Sequence, residues 1–174
     1  TPWWRAFLTV AAYTGMRRGE LCEFRWGDVD RVRGRIRIRQ KKTGQTIEVP
    51  LHPEVEAALR LVPRSTKSDR VFFLSTIRGE RYEKLWGDRV TVKATSIFKR
   101  AGLKGSLHAL RHTYATLLLG SSGNLMAVKE ALGHRQIATT MQYAFLLREG
   151  LEEAVKTIPT LDAAGGLKEA PAAQ

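Results

Sequence analysis

Six residues of this chain have side chains that chemistry on a phosphodiester would use, and the most informative of them is a tyrosine. Tyr143 follows His134 by nine residues, and its phenol becomes a nucleophile once it loses its proton. Because the ordinary pKa of tyrosine is about 10, the phenol needs a neighbouring base and a cationic environment. Imidazoles can move the protons, and arginines can hold the phosphate oxygens, because a guanidinium is planar and always charged. The full candidate set is Arg17, Lys42, His108, Arg111, His134 and Tyr143.

These candidates stand in short motifs, of which residues 108–113 form the most specific one. They read His-Ala-Leu-Arg-His-Thr, so the first His, the Arg and the second His lie at i, i+3 and i+4 on one surface of a predicted helix. His134 follows a glycine that is predicted to end another helix. Near the start, residues 14–17 read Thr-Gly-Met-Arg, and Glu20 lies three positions after Arg17 as a candidate ion-pair partner.

The chain is strongly basic, with a formal net charge of +12. Such a surplus predicts a polyanionic partner, which is DNA, RNA or an anionic membrane surface. From Arg31 to Lys42 there are seven basic residues and no acid. Side chains two apart share a strand face, so the pattern predicts a row of five arginines opposite Val32, Ile36 and Ile38. We expect this face to contact the phosphates of a DNA backbone through Arg31, Arg33, Arg35, Arg37, Arg39 and Lys41.

Periodicity and capping residues predict a mostly helical α+β fold with a small antiparallel sheet near the N-terminal third. Strands at residues 35–39 and 46–49 are predicted to form a hairpin whose turn contains Gly44, and residues 71–74 a short extended run. Helices are predicted at residues 2–14, 18–24, 53–61, 88–101, 107–119, 125–132, 136–145 and 149–158.

Two of these helices carry specific predictions about burial. In the helix at residues 136–145, Tyr143 lies away from the face of Ile137, Met141 and Ala144 at about 100° per residue, which predicts that it is not a core residue. In the helix at residues 107–119, the apolar stripe is predicted to consist of Leu107, Leu110, Tyr114, Leu117 and Leu118.

Together the motifs resemble those of the tyrosine recombinase, or phage integrase, family over residues 1–158. The match includes Thr-Gly-Met-Arg followed by Glu-Leu, the His-Ala-Leu-Arg-His-Thr box, and Leu-Gly-His followed by Thr-Thr and Tyr143. One departure is that Ala144 and Phe145 follow the tyrosine, where the family often has a short polar residue and then histidine. The resemblance implies a tyrosine recombinase catalytic domain at residues 1–158. Residues 159–174 are rich in Ala, Gly and Pro and are predicted to be a disordered tail.

The resemblance also implies roles for the residues that surround the phosphate. Tyr143 is the nucleophile, and Arg17 and Arg111 bind the phosphate oxygens. His134 donates a hydrogen bond to the same phosphate, and Glu20 is a buried partner that holds Arg17 in place.

For proton transfer, the resemblance implies that His108 is the general acid or base nearest the nucleophile. His112 is expected to have a supporting role. Lys42 is expected to protonate the leaving oxygen, and Lys41, beside it in the hairpin turn, is the alternative.

These roles imply a site-specific DNA recombinase or integrase that cuts and rejoins DNA through a covalent 3′-phosphotyrosine intermediate. No cofactor is implied, neither ATP nor a metal. The implied partners are double-stranded DNA, further protomers of the same recombinase in a tetrameric synapse, and directionality or DNA-bending accessory proteins. Two alternatives are a type IB topoisomerase-like nicking-closing enzyme and a non-catalytic DNA-binding regulator.

The compartment is indicated by the single cysteine, Cys22. It excludes an internal disulfide and a cysteine-based zinc cluster, and it favours a reducing cytoplasm. The sequence contains no signal peptide and no apolar stretch long enough to cross a bilayer, so we expect a cytoplasmic, DNA-associated protein. Because the first residue is Thr1, we also expect a piece of a longer protein. The resemblance implies a DNA-clamping domain before it.

Overall fold

The computed structural model describes residues 1–41, 43–65, 68–73, 86–147, 160–161 and 167–168. The α-helices are α1 (Pro2–Thr14), α2 (Arg18–Glu23), α3 (Pro53–Arg60), α4 (Trp86–Arg100), α5 (Leu107–Ser122) and α6 (Leu125–Leu132). Short 3₁₀ helices lie at Trp26–Asp28, Ile137–Thr139 and Met141–Leu147. The strands are β1 (Val29–Asp30), β2 (Arg35–Gln40), β3 (Gln45–Pro50), β4 (Thr160–Leu161) and β5 (Leu167–Lys168). The predicted α+β fold, mostly helical with a small antiparallel sheet, is confirmed.

Several sequence predictions fall outside the described residues. These are the position of Lys42, the end of the extended run at residues 71–74, the helix at residues 149–158, and most of the tail at residues 159–174. Within the tail, β4 and β5 pair antiparallel with each other. None of the helices in the described part of the chain combines the length and apolar character that crossing a membrane requires.

Two hydrophobic clusters hold the fold together. The larger one packs α1 to α4 against one face of the sheet, and its fully buried side chains include Phe7, Leu21, Ile36, Leu59 and Phe72. The smaller one lies between α5, α6 and the segment that follows α6, and it consists of Ala115, Leu119, Val128, Leu132 and Tyr143.

The sheet is antiparallel, in the order β1-β2-β3, and β2 shows the predicted alternation. Ile36, Ile38 and Gln40 are buried, and the arginines between them are exposed. The predicted row of five arginines is wrong in extent, because only Arg35, Arg37 and Arg39 lie on β2.

The first two arginines of the predicted row and Val32 lie before β2, where β1 turns back to pair with it. Gly34, with a φ of 62°, makes the left-handed turn that this reversal needs. Val32, predicted to face the core, is 98% exposed at this turn. The alternation of residue types therefore begins at Arg31, before the strand itself begins at Arg35.

The most deeply buried column of helix α5 overlaps the predicted stripe only in part. The buried residues are Leu107, Arg111, Ala115 and Leu119, whereas Leu117 is 66% exposed. The buried column includes an arginine, which a hydropathy pattern assigns to the solvent. The predicted stripe is right for Leu107, and for Leu110, Tyr114 and Leu118, which pack partly buried against the two clusters, and it is wrong for Leu117.

The predicted helix at residues 136–145 is two 3₁₀ segments with Thr140 between them. A 3₁₀ helix turns about 120° per residue, so the face assignment made for an α-helix does not hold. Ile137 and Met141 are exposed, and Tyr143 is buried in the smaller cluster. The prediction that Tyr143 lies off the core face was wrong for this reason.

Candidate active site

Arg111 is the centre of the candidate site. Its guanidinium donates from Nη1 to the Gly15 carbonyl at 2.6 Å and from Nη2 to the Leu132 carbonyl at 2.8 Å. Nη2 also lies 3.3 Å from Nε2 of His134. A buried cation is costly unless its donors are satisfied, and here they bind the end of α1 and the end of α6. Burial, followed by the charge of Arg17, lowers the pKa of Arg111 to about 10, so it stays cationic at neutral pH.

Glu20 lies between the two candidate arginines. Its Oε2 accepts the Arg17 backbone N–H at 2.7 Å, and its Oε1 accepts from Arg17 Nη1 at 2.8 Å. Oε2 also lies 4.0 Å from Arg111 Nη1. The side chains of Glu20 and Arg111 are nearly buried, whereas that of Arg17 is 35% exposed. Two guanidiniums and one carboxylate leave a net charge of +1, which matches one phosphodiester.

Gly15 positions the segment that carries Arg17. It ends α1 with a φ of 62°, and its carbonyl is the one that Arg111 binds. A Cβ at this position would lie 2.5 Å from Cδ1 of Tyr114 on α5. Both the backbone conformation and the closeness of α5 therefore require glycine here.

His134 is placed by the end of α6. Gly133, with a φ of 62°, ends that helix, and the imidazole that follows points Nδ1 at Oγ1 of Thr140, 2.9 Å away. Because a guanidinium only donates, Nε2 accepts from Arg111 and the proton lies on Nδ1. Burial, followed by the charges of Arg111 and Arg17, lowers the pKa of His134 to about 4, so it is neutral at pH 7.

The phenol of Tyr143 contacts the second histidine of the α5 motif. Its hydroxyl lies 2.7 Å from Nδ1 of His112. The ring of His108 is exposed and packs edge-on against the ring of His112, with centroids 4.7 Å apart. The structure therefore places His112 in contact with the Tyr143 hydroxyl, whereas His108 was predicted to be the imidazole nearest to it.

Electrostatics at this end of the site favour neutral groups. Burial raises the pKa of Tyr143, and the positive charge of Arg111 opposes that shift. Partial burial lowers the pKa of His108, and His112, Arg111 and Arg17 add to the effect. A neutral imidazole is able to accept a proton, so the lowered pKa of His108 suits the role of base.

The predicted basic surface is partly neutralised by acids of the same chain. Arg39 pairs with the buried Asp28 at 2.8 Å, and Lys41 pairs with Glu23 at 2.9 Å. Arg37 donates to the Gly27 carbonyl at 2.5 Å. In the turn before β2, ion pairs join Arg31 to Glu56 at 3.1 Å and Arg33 to Asp30 at 3.9 Å. Arg35 is exposed on β2.

Two polar residues of the site were not singled out from the sequence. Thr140 is fully buried and orients His134, and it appeared in the sequence only as part of a Thr-Thr pair. Gln40 is also buried, and its amide donates to the Leu132 carbonyl that Arg111 also binds. A signal for Gln40 existed, because it continues the buried face of Ile36 and Ile38, where a polar side chain needs a specific partner.

Comparisons with known proteins agree with this fold. The sequence model of the phage integrase family matches residues 2–149. The chain is 31% identical over 150 residues to tyrosine recombinase XerA of Thermococcus kodakarensis, covering 86% of this chain and 53% of that protein. The crystal structure of XerA recombinase matches with a TM-score of 0.72 at 30% identity, covering 88% of this chain and 58% of that one. The XerH site-specific recombinase, in a post-cleavage complex with palindromic difH substrate, matches with a TM-score of 0.67 at 27% identity, covering 87% and 44%.

The fold is thus that of a tyrosine recombinase catalytic domain. The chain belongs to the phage integrase family, as its motifs predicted. It spans about half the length of the curated relatives that it matches.

Proposed function

We propose that this chain is the catalytic domain of a site-specific tyrosine recombinase. The observation that carries the proposal is the cluster of Arg17, Glu20 and Arg111, which has a net charge of +1 and joins the end of α1 to the end of α6. A preorganised cationic site of this kind stabilises the charge that builds up on phosphate oxygens in a transition state.

In this proposal, Arg17 and Arg111 bind the non-bridging oxygens of the scissile phosphate. The negative charge of the phosphate opposes the effect of the two arginines on His134 and raises its pKa. His134, which accepts from Arg111 in the free protein, then becomes a donor to the phosphate through Nε2.

The covalent step forms a bond between the Tyr143 oxygen and phosphorus and breaks the bond to the 5′ oxygen. The tyrosine proton passes to His112, whose Nδ1 already lies 2.7 Å from the hydroxyl, and His108 beside it is the second candidate base. A lysine of the hairpin turn, Lys42 or Lys41, gives a proton to the leaving 5′ oxygen. A 5′-hydroxyl from a second DNA then attacks the phosphotyrosine, which releases Tyr143 and restores a phosphodiester.

The proposed partners are double-stranded DNA and further protomers in a tetrameric synapse, with accessory proteins that set direction or bend DNA. The exposed arginines Arg35, Arg37 and Arg39 form one basic face beside the site. Solved relatives support DNA and protomer binding, since one is the XerH recombinase on difH substrate and another a lambda integrase dimer on a COC′ core site. Loss of one such arginine should weaken DNA binding. It should also reduce the slope of log affinity against log salt concentration by about one unit, the value for one phosphate contact.

Incubation with a nicked suicide duplex, followed by a denaturing gel, tests the proposal. We expect a protein–DNA adduct that survives denaturation, and strand exchange between two duplexes. An adduct without exchange would favour the topoisomerase-like alternative. DNA binding without any adduct would favour the non-catalytic regulator.

A further inference from the structure

Gln40 is a buried amide at the end of β2, next to the turn that carries the lysines. It is 2% exposed and lies on the same face as Ile36 and Ile38, which belong to the larger core. An amide in an apolar row is unfavourable unless its donors and acceptors are bound. The partners of Gln40 therefore indicate why the residue is there.

Those partners tie the turn to itself and to a distant helix. The side-chain Oε1 accepts from the Thr43 hydroxyl at 3.0 Å, and the main-chain carbonyl accepts from the Gly44 N–H at 2.8 Å. The side-chain Nε2 donates to the Leu132 carbonyl at 2.9 Å, at the end of α6. Gln40 thus holds both sides of the turn and fixes it to the segment that ends in His134.

The Leu132 carbonyl receives a second donor, Nη2 of Arg111, at 2.8 Å. A carbonyl oxygen has two lone pairs, so Gln40 and Arg111 together fill its capacity. The next residue, Gly133, faces the Gln40 amide so closely that a Cβ there would overlap it. One peptide group therefore joins the hairpin turn, the guanidinium of Arg111 and the backbone that presents His134.

We propose that Gln40 is a positioning residue for DNA cleavage, which fixes the lysine-bearing turn relative to the arginines that bind the phosphate. The inference rests on the proposed function. Only two residues, Lys41 and Lys42, lie between Gln40 and Thr43 in the sequence. Both flanking residues are bonded, which sets the two ends of the turn relative to Arg111. In the proposed function, a lysine of this turn serves the leaving oxygen of the phosphate that Arg111 binds.

The side chain must be an amide for this role. Glutamate in its place has no donor for the Leu132 carbonyl. Methionine has nearly the same size and shape, but it leaves the Thr43 hydroxyl without its acceptor and Leu132 with one donor fewer. Gln40→Met therefore removes the connection with the least change in packing and no change in charge.

Single-turnover cleavage by Gln40→Met tests the proposal, with two substrates that differ in one atom. One has the ordinary 5′ oxygen at the scissile phosphate, and the other has a bridging sulfur, which leaves without needing a proton. We expect Gln40→Met to cleave the oxygen substrate about tenfold more slowly. This is the effect of losing one hydrogen bond in the transition state, here the bond from the lysine of the turn to the leaving oxygen. It should cleave the sulfur substrate at nearly the parent rate and bind DNA with unchanged affinity.

Gln45→Met is the matched control, because Gln45 pairs with Gln40 across the hairpin and is exposed. It should behave as the parent on both substrates. Thr43→Val, which removes the hydroxyl donor from the turn side, should show a smaller defect that sulfur also corrects, and it covers the case in which Gln40→Met folds poorly.

Three results separate the possible accounts. A parent rate for Gln40→Met on the oxygen substrate would overturn the inference. Equal slowing on both substrates would also overturn it, because Gln40 would then act on the arginine site alone and not on the turn. A parent protein that forms no adduct with either substrate would instead contradict the proposed function itself.

Discussion

The arginine cluster and the tyrosine segment are two parts of one site, but they are built differently. Arg111 is buried and bonded to the ends of two helices. The Glu20 carboxylate accepts hydrogen bonds from both the backbone N–H and the guanidinium of Arg17. Tyr143 lies in a 3₁₀ helix whose neighbouring residues Met141 and Phe145 are exposed, and its hydroxyl is held by His112.

The difference indicates which part of the site is ready before DNA binds. A bonded and buried cluster keeps its geometry at little further cost when the phosphate arrives, which is how preorganised donors gain their effect. A short 3₁₀ segment has weaker hydrogen-bond geometry than an α-helix, although the Tyr143 side chain itself is buried in the smaller cluster. We expect the phosphate site to be preformed and the nucleophile to be the part that DNA adjusts.

The largest expected effect is that of Tyr143→Phe, which removes only the nucleophilic oxygen. Covalent adduct formation should fall to background, because no bond to phosphorus is possible. Affinity for a duplex half-site, measured by titration, should change little, since the arginines supply it. An adduct that still forms in this variant would show that another residue is the nucleophile.

Substitution of the two arginines separates preorganisation from structural support. Arg111→Ala and Arg17→Ala should each slow cleavage by at least ~10²-fold, the scale for losing one preorganised donor. Arg111→Ala should also lower the melting temperature, because the buried Gly15 carbonyl loses the donor that Arg111 supplies, at about 1–3 kcal/mol for an unsatisfied group. The Leu132 carbonyl keeps its hydrogen bond from Gln40. Arg17→Ala should melt near the parent temperature. Equal loss of stability in both variants would contradict the contrast drawn here.

A smaller effect is expected from the imidazoles. His112→Phe keeps an aromatic ring but removes the acceptor of the tyrosine proton, so cleavage should slow by about 10²-fold, the lower end for loss of a general base. His108→Phe is the comparison. If only the His108 variant loses activity, then the contact between Tyr143 and His112 belongs to the resting protein and not to the reaction.

The smallest effect is on stability as a function of pH. The pKa of His134 is about 4 in the folded protein against an ordinary 6.5. The unfolded chain therefore takes up a proton as the pH falls through 6.5, and the folded protein does not do so until about 4. Stability from this group is present above pH 6.5 and is lost between 6.5 and 4. Urea unfolding at pH 7 and pH 5 should show that the free energy of unfolding falls less between these two pH values for His134→Gln than for the parent. An equal fall in both proteins would refute the prediction.

The features that the sequence predicted well are local ones. Gly133 ends α6 as predicted, and Asn124 caps the start of that helix by accepting from the backbone N–H groups of Met126 and Ala127. Caps and turns act within a few residues, so their signals are visible in the chain itself. The family and the fold were predicted from motifs of the same short range, and both are confirmed.

The features that could not be predicted depend on contacts between distant segments. Arg111 is buried because carbonyls 96 and 21 residues away accept its hydrogen bonds, which no hydropathy pattern shows. Tyr143 is buried because its segment is 3₁₀ and not α-helical. The contact of Tyr143 with His112 depends on both facts, so the sequence motif alone could not show which of its two histidines contacts the tyrosine.

The most direct test is to identify the residue that carries DNA in the trapped adduct. The adduct formed on a nicked suicide duplex would be digested with nuclease and trypsin, and the nucleotide-bearing peptide sequenced by mass spectrometry. The account predicts a single modified peptide, spanning residues 136–148, with the nucleotide on Tyr143. A nucleotide on Tyr114, on Tyr82 or on any other residue would contradict it.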